Sequence, residues 1–187
     1  YGTSVVTLTT APTSSQWTYT WYKDADGNNV LDTTNDTKID NDGNTLVLKN
    51  VSDSGTYWVV VSDGKNNNAT SNKVTVTIVK ADGNASVSLS GWIYGETASE
   101  PVPTSDTNGI NNVTYQYKVK GADDTTYSDT LPINAGDYTV KATFAATDNY
   151  NEVTAEADFT IAKATPAIAI KATPSTLTGG GSVELTV

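Results

Sequence analysis

The sequence contains no cysteine, histidine, methionine or arginine, so all 11 of its basic residues are lysine. Without cysteine the chain has no disulfide, no thiolate nucleophile and no cysteine-based zinc site. Without histidine it lacks the commonest general base and transition-metal ligand. Without arginine it lacks the bidentate donor that suits phosphate groups. These absences argue against an enzyme, and we expect no catalytic site, no metal and no cofactor.

The charge balance and the lack of long apolar runs exclude further classes of partner. The formal net charge is −10, from 21 acidic and 11 basic residues. A chain this acidic is repelled by nucleic acid and by anionic membrane surfaces. No apolar run approaches the length that a bilayer span needs. We therefore expect no nucleic-acid partner and no insertion into a membrane.

The residues that are present favour β-structure. Threonine, valine and tyrosine are frequent, and short alternating apolar runs are separated by Asp, Asn and Gly clusters about every ten residues. No window shows the spacing of an amphipathic helix, so helices should be absent or limited to a single turn. The 187 residues are enough for two domains of about 80–100 residues each. The sequence predicts an all-β protein.

The first module, residues 1–80, carries the run Asp53-Ser54-Gly55-Thr56-Tyr57 after the alternating Leu46 and Leu48, with Trp21 further upstream. In this pattern the segment resembles immunoglobulin domains of the intermediate set. The resemblance implies a β-sandwich in which Trp21 fills the space between the sheets. It also implies a tyrosine corner, in which the Tyr57 hydroxyl binds backbone a few residues upstream.

Two further roles in the first module come from the same resemblance. The family's sheet-bridging cysteines would stand near Thr10 and at Val59, where this chain has none. The family's aspartate often pairs with a basic residue on the preceding strand. Asp53 would therefore pair with Lys38, the one candidate in that stretch. The predicted structural residues are Trp21, Tyr57, Asp53 and Lys38.

The second module, residues 81–163, contains Tyr94-Gly95-Glu96, the run from Asn134 to Ala142 that reads NAGDYTVKA, and the closing Phe159-Thr160-Ile161. These motifs resemble the Tyr-Gly-type adhesin repeats of bacterial surface proteins, which are sometimes grouped with immunoglobulin-like modules. The resemblance implies an all-β module of at least five strands and leaves open whether they form a sandwich.

Residues 164–187 read as a linker followed by the first strands of another immunoglobulin-like module, with Ile168 and Ile170 in alternation. The chain is therefore predicted to be a piece of a tandem array in a longer protein. Two isolated strands are marginally stable. We expect residues 167–187 to pair with another β-edge, such as that of the opening module in a neighbouring molecule, as a form of self-association through truncated termini.

Several polar clusters could carry chemistry, and ordinary turn formation explains them better. Asp, Asn and Gly are the usual residues of hairpin turns, and no cluster has the full spacing of a calcium loop. No spacing fixes a carboxylate pair on one cleft, and the motifs of an intramolecular Lys–Asn crosslink are missing. The clusters considered for calcium are Asp24, Asp26, Asn28 and Asp32, then Asp40, Asn41, Asp42 and Asn44, and Asp123 with Asp124; the carboxylate pairs are Glu96 with Glu100 and Asp137 with Glu152.

Three functions are compatible with the sequence. The first is a non-catalytic, extracellular module array of a bacterial cell-surface protein, attached to the cell wall and acting in adhesion or as a spacer. Its partner would be a host or bacterial surface ligand, protein or glycan. The second is a carbohydrate-binding accessory region of a large secreted polysaccharide-degrading enzyme, which exposed aromatic residues such as Tyr22, Trp58, Tyr115 and Tyr117 would favour. The third is an enzyme in its own right.

Overall fold

The computed structural model of the chain describes residues 5–173, residue 179 and residues 184–186. Strands follow one another along these residues, and two single-turn 3-10 helices, Val51–Asp53 and Asp124–Thr126, interrupt them. The expectation of all-β structure with helices of at most one turn is confirmed for the described residues. No helix in this part of the chain is long and apolar enough to cross a bilayer.

The described residues form fifteen strands, β1 to β15 in chain order. Those of the first 80 residues are β1 (Val6–Thr9), β2 (Thr18–Lys23), β3 (Thr37–Ile39), β4 (Thr45–Leu48), β5 (Gly55–Ser62), β6 (Asn68–Thr70) and β7 (Val74–Val76). The others are β8 (Ser86–Ser88), β9 (Trp92–Ile93), β10 (Val102–Thr104), β11 (Val113–Val119), β12 (Gly136–Phe144), β13 (Val153–Ala162), β14 (Lys171–Thr173) and β15 (Glu184–Thr186).

The chain divides into two compact units. Unit 1 runs to Ala85 and also takes in Ser105–Gly109 and Phe144–Val153. Unit 2 takes in Ser86–Thr104, Ile110–Thr143 and the residues from Thr154 onward. The two units are defined by which segments pack together, so their limits do not show where a module begins in the sequence. The module limits at 80/81 and 163/164 therefore stay predictions.

Unit 1 contains a β-sandwich of the immunoglobulin type. One sheet is the antiparallel pair β1–β4, and the other has the order β3-β2-β5-β6, with β7 also paired to β5. Alternate side chains of each strand point to one face, and these inner faces supply a continuous core. The core residues are Tyr19, Trp21, Leu46, Leu48, Tyr57, Val59 and Val76, each 7% exposed or less, with Val6 and Leu8 packed against them.

The strand next to β5 is broken in the middle. β6 pairs with the second half of β5, and β7 pairs with the first half. Between them, the Ser71 amide donates to the Val59 carbonyl (3.0 Å) and the Val59 amide donates to the Ser71 hydroxyl (3.1 Å). The serine side chain thus takes the place of a backbone carbonyl, so the ladder continues across the break.

A distant segment of unit 1, Phe144–Val153, is fixed by Asn149. The Val51 amide donates to Asn149 Oδ1 (2.9 Å), and Asn149 Nδ2 donates to Asn50 Oδ1 (3.3 Å). The Ala81 amide donates to the Asn149 carbonyl (2.9 Å). One asparagine therefore joins residues 50–51 to residue 81, which explains why this late segment belongs to unit 1.

In unit 2, strands β8 to β13 form two sheets. β8 and β10 form an antiparallel pair, and a four-stranded sheet has the order β11-β12-β13-β9. The expectation of at least five strands in residues 81–163 is confirmed, because six strands, β8 to β13, lie there. β9 runs parallel to β13, with Trp92 opposite Ile161. Gly91 allows this close approach, since a Cβ at that position would lie 2.3 Å from the Thr160 carbonyl oxygen.

The core of unit 2 is organised around Phe159 of β13, which is 5% exposed. Its ring stacks on Trp92 (5.4 Å between centroids) and on Tyr138 (5.6 Å), and it meets the edge of Tyr117 at 6.2 Å. Val140 and Ala142 of β12 and Ile161 of β13 are almost fully buried. The closing motif of the second module therefore supplies its central aromatic residue.

Within residues 167–187, β14 and β15 pair with each other in antiparallel register, Lys171 opposite Thr186. Both strands belong to the stretch itself, so this local pair does not test the expectation that residues 167–187 pair with another β-edge. Pairing with a neighbouring molecule stays a prediction. Residues 174–178, 180–183 and 187 lie outside the described residues.

Candidate functional site

Two of the residues predicted from the immunoglobulin resemblance, Trp21 and Tyr57, lie in the core of unit 1. Trp21 is 3% exposed, and its indole Nε1 donates to the Gly43 carbonyl at 2.9 Å. Tyr57 is 2% exposed, and its hydroxyl makes a short hydrogen bond to the Asp53 carbonyl, four residues upstream. Burial, with a smaller contribution from the Asp53 charge, raises the pKa of Tyr57 to about 12. This arrangement anchors the turn before β5.

Asp53 holds the same turn from the other side. Its Oδ2 accepts the amides of Lys49 (2.7 Å) and Asn50 (2.8 Å). The two amides follow the end of β4 and are not bonded in its strand ladder, so the Asp53 carboxylate provides their acceptor. The Asn50 amide, then the Lys49 amide and then the positive charge of Lys23 hold the pKa of Asp53 below its ordinary value of 3.8.

The expected pair of Asp53 with Lys38 is not found, because Lys38 belongs to a different sheet edge. Lys38 lies on β3 opposite Tyr22 of β2, and β2 separates β3 from β5. Lys23 is the nearby cation instead. It lies opposite Tyr57 in the β2–β5 register, and its Nζ donates to the Ser52 carbonyl at 2.6 Å.

Gly55, the glycine of the motif, makes room for the Lys23 side chain. A Cβ at position 55 would lie 2.6 Å from Cε of Lys23, so Gly55 leaves the space that the lysine chain occupies. The lysine therefore follows the strand toward Ser52. Its Nζ also lies 6.0 Å from the centre of the Tyr57 ring.

Acid should destabilise the fold partly through Asp53. Because its pKa is below 3.8 in the folded state, its contribution is fully present above that value and is lost as the pH falls through the folded pKa. We expect the free energy of unfolding to decrease below about pH 4, and to decrease less steeply in Asp53→Asn. Urea unfolding at pH 7, 5, 4 and 3 measures this; equal slopes in the two proteins would contradict it. Hydrogen bonds also lower the pKa values of Asp32, Asp63, Asp123 and Asp158, which act on the pH dependence in the same direction.

The acidic loop between β2 and β3 brings three carboxylates together. One carboxylate oxygen from each of Asp24, Asp26 and Asp36 lies within 4.8 Å of the others. The sequence pattern placed Asp24 and Asp26 in one cluster with Asp32 and missed Asp36, which the chain brings back from ten residues beyond Asp26. Asp36 is 7% exposed, so it is the buried member of the group.

Each of the six oxygens in this cluster accepts a hydrogen bond from the loop. The Asp24 carboxylate accepts the amides of Gly27 and Asn29, and the Asp36 carboxylate accepts those of Ala25 and Asp32. The Asp26 carboxylate accepts two bonds from Asn28. These side chains therefore do what turn-forming aspartates do, and the loop has an internal reason for its composition.

Calcium should have no large effect on stability. We expect the melting temperature to shift little between excess chelator and millimolar calcium, because the carboxylates are already used by the loop. A folded-state site would add about 2.7 kcal/mol to the free energy of unfolding when the free calcium concentration is 100 times its Kd. Differential scanning calorimetry with and without calcium measures the shift. A rise of several degrees that Asp24→Asn removes would identify a calcium site and contradict the expectation.

The residues considered as carboxylate pairs are all exposed: Glu96 with Glu100, and Asp137 with Glu152. Asp137 accepts a hydrogen bond from the Thr160 hydroxyl at 2.7 Å. The described residues form two ion pairs, Lys118 with Asp124 and Lys120 with Asp158, and in each pair at least one side chain is half exposed or more. Exposed pairs of this kind contribute little to stability.

The aromatic side chains are used for packing. Trp58 is 5% exposed and Tyr117 is 9% exposed, and Tyr22 and Tyr115 are half-buried. Among the described residues, Tyr94 is the one exposed aromatic side chain, at 52%. A row of exposed rings that could stack on a sugar chain is thus missing from the described surface.

A groove of about 830 Å³ lies along one side of the sandwich of unit 1. We call it the side groove; one wall is Thr7–Pro12, the other is Asn67–Asn72, and Trp21, Tyr57 and Val59 line its base. Its size is that of an ordinary binding cleft. Asp63 is the one carboxylate among its described lining residues, and no lysine is among them.

Asp63 is a turn residue as well. Its carboxylate accepts the amides of Lys65 (2.7 Å) and Asn67 (3.2 Å) and the Asn67 side chain (2.7 Å). These bonds hold its pKa below the ordinary value, so it is ionised at neutral pH. The side groove therefore offers apolar surface, neutral polar groups and one negative charge.

No protein-family model matches the chain, and no curated protein matches it. Solved structures that align with it are the N-terminal four immunoglobulin domains of Dscam1 isoform 7.44 (18% identity, TM-score 0.35) and of isoform 9.44 (20%, 0.32). Sidekick-1 immunoglobulin domains 1–5 also align (13%, 0.27). The alignments cover 87%, 87% and 90% of this chain but only 41%, 42% and 36% of those chains. Likeness at this level carries no information on ligand or partner.

Proposed function

We propose that this chain is part of a non-catalytic, extracellular module array of a bacterial cell-surface protein, and that it acts in adhesion or as a spacer. The observation that carries the proposal is that the aromatic rings and clustered carboxylates, the side chains best suited to binding or chemistry, have structural roles. Buried aromatic rings build the two cores, and the clustered carboxylates are hydrogen-bonded within their own turns. In the side groove, Asp63 is the one carboxylate among the described lining residues, and it too is hydrogen-bonded within its own turn.

Bacterial origin and wall attachment rest on the resemblance of residues 81–163 to Tyr-Gly-type adhesin repeats. The motif residues on which that resemblance is based have structural roles in unit 2. Phe159 and Ile161 lie in its core, and the Tyr138 hydroxyl donates to the Asn134 carbonyl at 3.0 Å. This second tyrosine contact is four residues in span, like that of Tyr57, which supports the grouping of both modules with immunoglobulin-like domains.

Antibodies against the chain test its location. We expect them to label intact cells of the source organism and to lose that label after mild protease treatment of the cell surface. Labelling that appears only after lysis would overturn the proposal. An antibody against a cytoplasmic protein is the control for cell integrity.

Glycan and host-protein arrays separate the functional alternatives. Binding to a protein ligand indicates adhesion, and lack of binding on both arrays indicates a spacer. Glycan binding that Tyr94→Ala abolishes would instead favour the carbohydrate-binding accessory region. Release of reducing sugar from a polysaccharide by the purified chain would contradict the non-catalytic assignment.

A further inference from the structure

The side groove is bounded by a sheet edge with free backbone groups. The Asp63 amide donates to the Asn67 carbonyl, and the Ser71 amide donates to the Val59 carbonyl. In an antiparallel pair, successive residues point their amides and carbonyls alternately to either side. Residues 67, 69 and 71 therefore face β5, while Asn68 and Thr70 direct theirs to the outer side. Within the described residues no strand pairs with that outer edge.

Unit 2 shows what covers the comparable edge. There, β13 pairs with β12 on one side and with the short parallel strand β9 on the other. The Tyr94 amide continues this pairing to the Ala162 carbonyl at 2.8 Å. An edge with free amides and carbonyls accepts an added strand. Unit 1 has the edge and the groove beside it, and the described residues of the chain provide no strand to fill them.

The segment Ala164–Ile170, which we call the connector, has the complementary properties. It has no strand pairing, and Ile168 and Ile170 are 71% and 68% exposed. In an extended chain, residues two apart point to the same side, so both isoleucines would face one surface. Exposing two isoleucines on an unpaired segment is costly, and burying them in an apolar groove removes that cost.

Charge also matches the connector to the groove. From Phe159 to Val183 the sequence has two lysines, Lys163 and Lys171, and no acidic residue, in a chain of net charge −10. The side groove has Asp63 and no cation in its described lining. The connector itself is uncharged, but the two lysines that flank it are attracted to the Asp63 carboxylate, whereas most of this acidic chain is not.

We propose that the side groove binds the connector of a second copy of this chain as an added β-strand. The added strand runs parallel to β6 and β7, as β9 does to β13. Ile168 and Ile170 enter the groove above Val59 and Tyr57, and the outward amides and carbonyls of Asn68 and Thr70 pair with the connector backbone. Repetition of this contact links molecules head to tail.

Sedimentation equilibrium of the whole chain, at concentrations up to about 1 mM, tests the proposal. We expect concentration-dependent association. Ile168→Asp and Ile170→Asp should each weaken it at least about tenfold, because an unpaired carboxylate would be buried. Ile133→Asp is the matched control, since Ile133 is 74% exposed and lies outside the connector; it should leave association unchanged.

A second pair of variants tests the sheet edge itself. Thr70→Pro removes one outward amide and leaves the bonds to β5 in place, because proline is tolerated on the free side of an edge strand. Thr70→Ala keeps the amide. We expect association to be lost in the first and retained in the second, with equal melting temperatures of the dilute proteins. If Thr70→Pro proves unstable, hydrogen exchange of the unmodified chain replaces it.

Hydrogen exchange reads the contact directly. On going from dilute to concentrated protein, the amides of Asn68 and Thr70 should exchange more slowly by about tenfold or more, while the amide of Ala69 should change little. A chain that stays monomeric at about 1 mM overturns the proposal. So does association that survives Ile168→Asp and Ile170→Asp, or association without added protection at Asn68 and Thr70.

Discussion

Replacing Trp21 with alanine is expected to lower the free energy of unfolding of unit 1 by about 3–5 kcal/mol, the usual cost of removing a large buried aromatic ring. Trp21 is 3% exposed and belongs to the same core cluster as Leu48, Tyr57 and Val59. It also donates to the Gly43 carbonyl, which would lose its partner. Since small domains are stable by only about 5–15 kcal/mol, this one change should remove a large fraction of the stability.

Urea unfolding followed by circular dichroism measures the effect of Trp21→Ala. Trp21→Phe keeps a smaller ring and loses the indole donor, so it should cost less than Trp21→Ala. Val47→Ala is the surface control on β4, because Val47 is 46% exposed and lies between two buried leucines; it should change the free energy by about 0.5 kcal/mol or less. An unchanged midpoint in Trp21→Ala would contradict the assignment of Trp21 to the core.

The core of unit 1 could be predicted from sequence because period and motif agree. Leu46 and Leu48 alternate on β4 and are both buried, and Tyr57 follows the glycine motif at the entrance to β5. The cation beside Asp53 could not be predicted in the same way. Lys23 is thirty residues from Asp53, and only the β2–β5 register, which places Lys23 opposite Tyr57, brings it near.

The acidic loop shows a similar limit. Turn residues are visible as a composition, so Asp24 and Asp26 are easily recognised, but the fold of the loop decides which acids meet. Asp36 joins them because its carboxylate binds the amides of Ala25 and Asp32 across the loop. No local rule gives that contact from the sequence, since it depends on the path of the intervening residues.

The strand order in unit 2 could not be predicted from the sequence for a different reason. β9 is two residues long, Trp92 and Ile93, and too short to show any alternation. Its parallel pairing with β13 depends on the close approach at Gly91 and on the stacking of Trp92 on Phe159. A long-range contact of this kind leaves no periodic signal, although the residue types that make it are plain in the sequence.

Phe159 is the residue of unit 2 whose loss should cost most. Phe159→Ala is expected to lower the free energy of unfolding of unit 2 by about 3–5 kcal/mol, because it removes a buried ring and leaves a cavity between Trp92, Tyr138 and Tyr117. The parallel pairing of β9 should weaken in particular, because Trp92 would lose its stacking partner. The amide of Tyr94, which bonds to the Ala162 carbonyl, should then exchange faster with solvent.

Phe159→Leu separates packing from aromatic contact. Leucine keeps most of the apolar volume, so the cavity is small and the remaining loss reflects the ring contacts, worth about 0.5–1.5 kcal/mol for each aromatic pair. Tyr94→Ala removes an exposed ring next to β9 and should change the free energy by about 0.5 kcal/mol or less. Urea unfolding gives the free energies, and hydrogen exchange at Tyr94 reports the β9 edge. If Phe159→Ala and Tyr94→Ala prove equally mild, Phe159 is not the centre of the core, and another contact must hold β9 against β13.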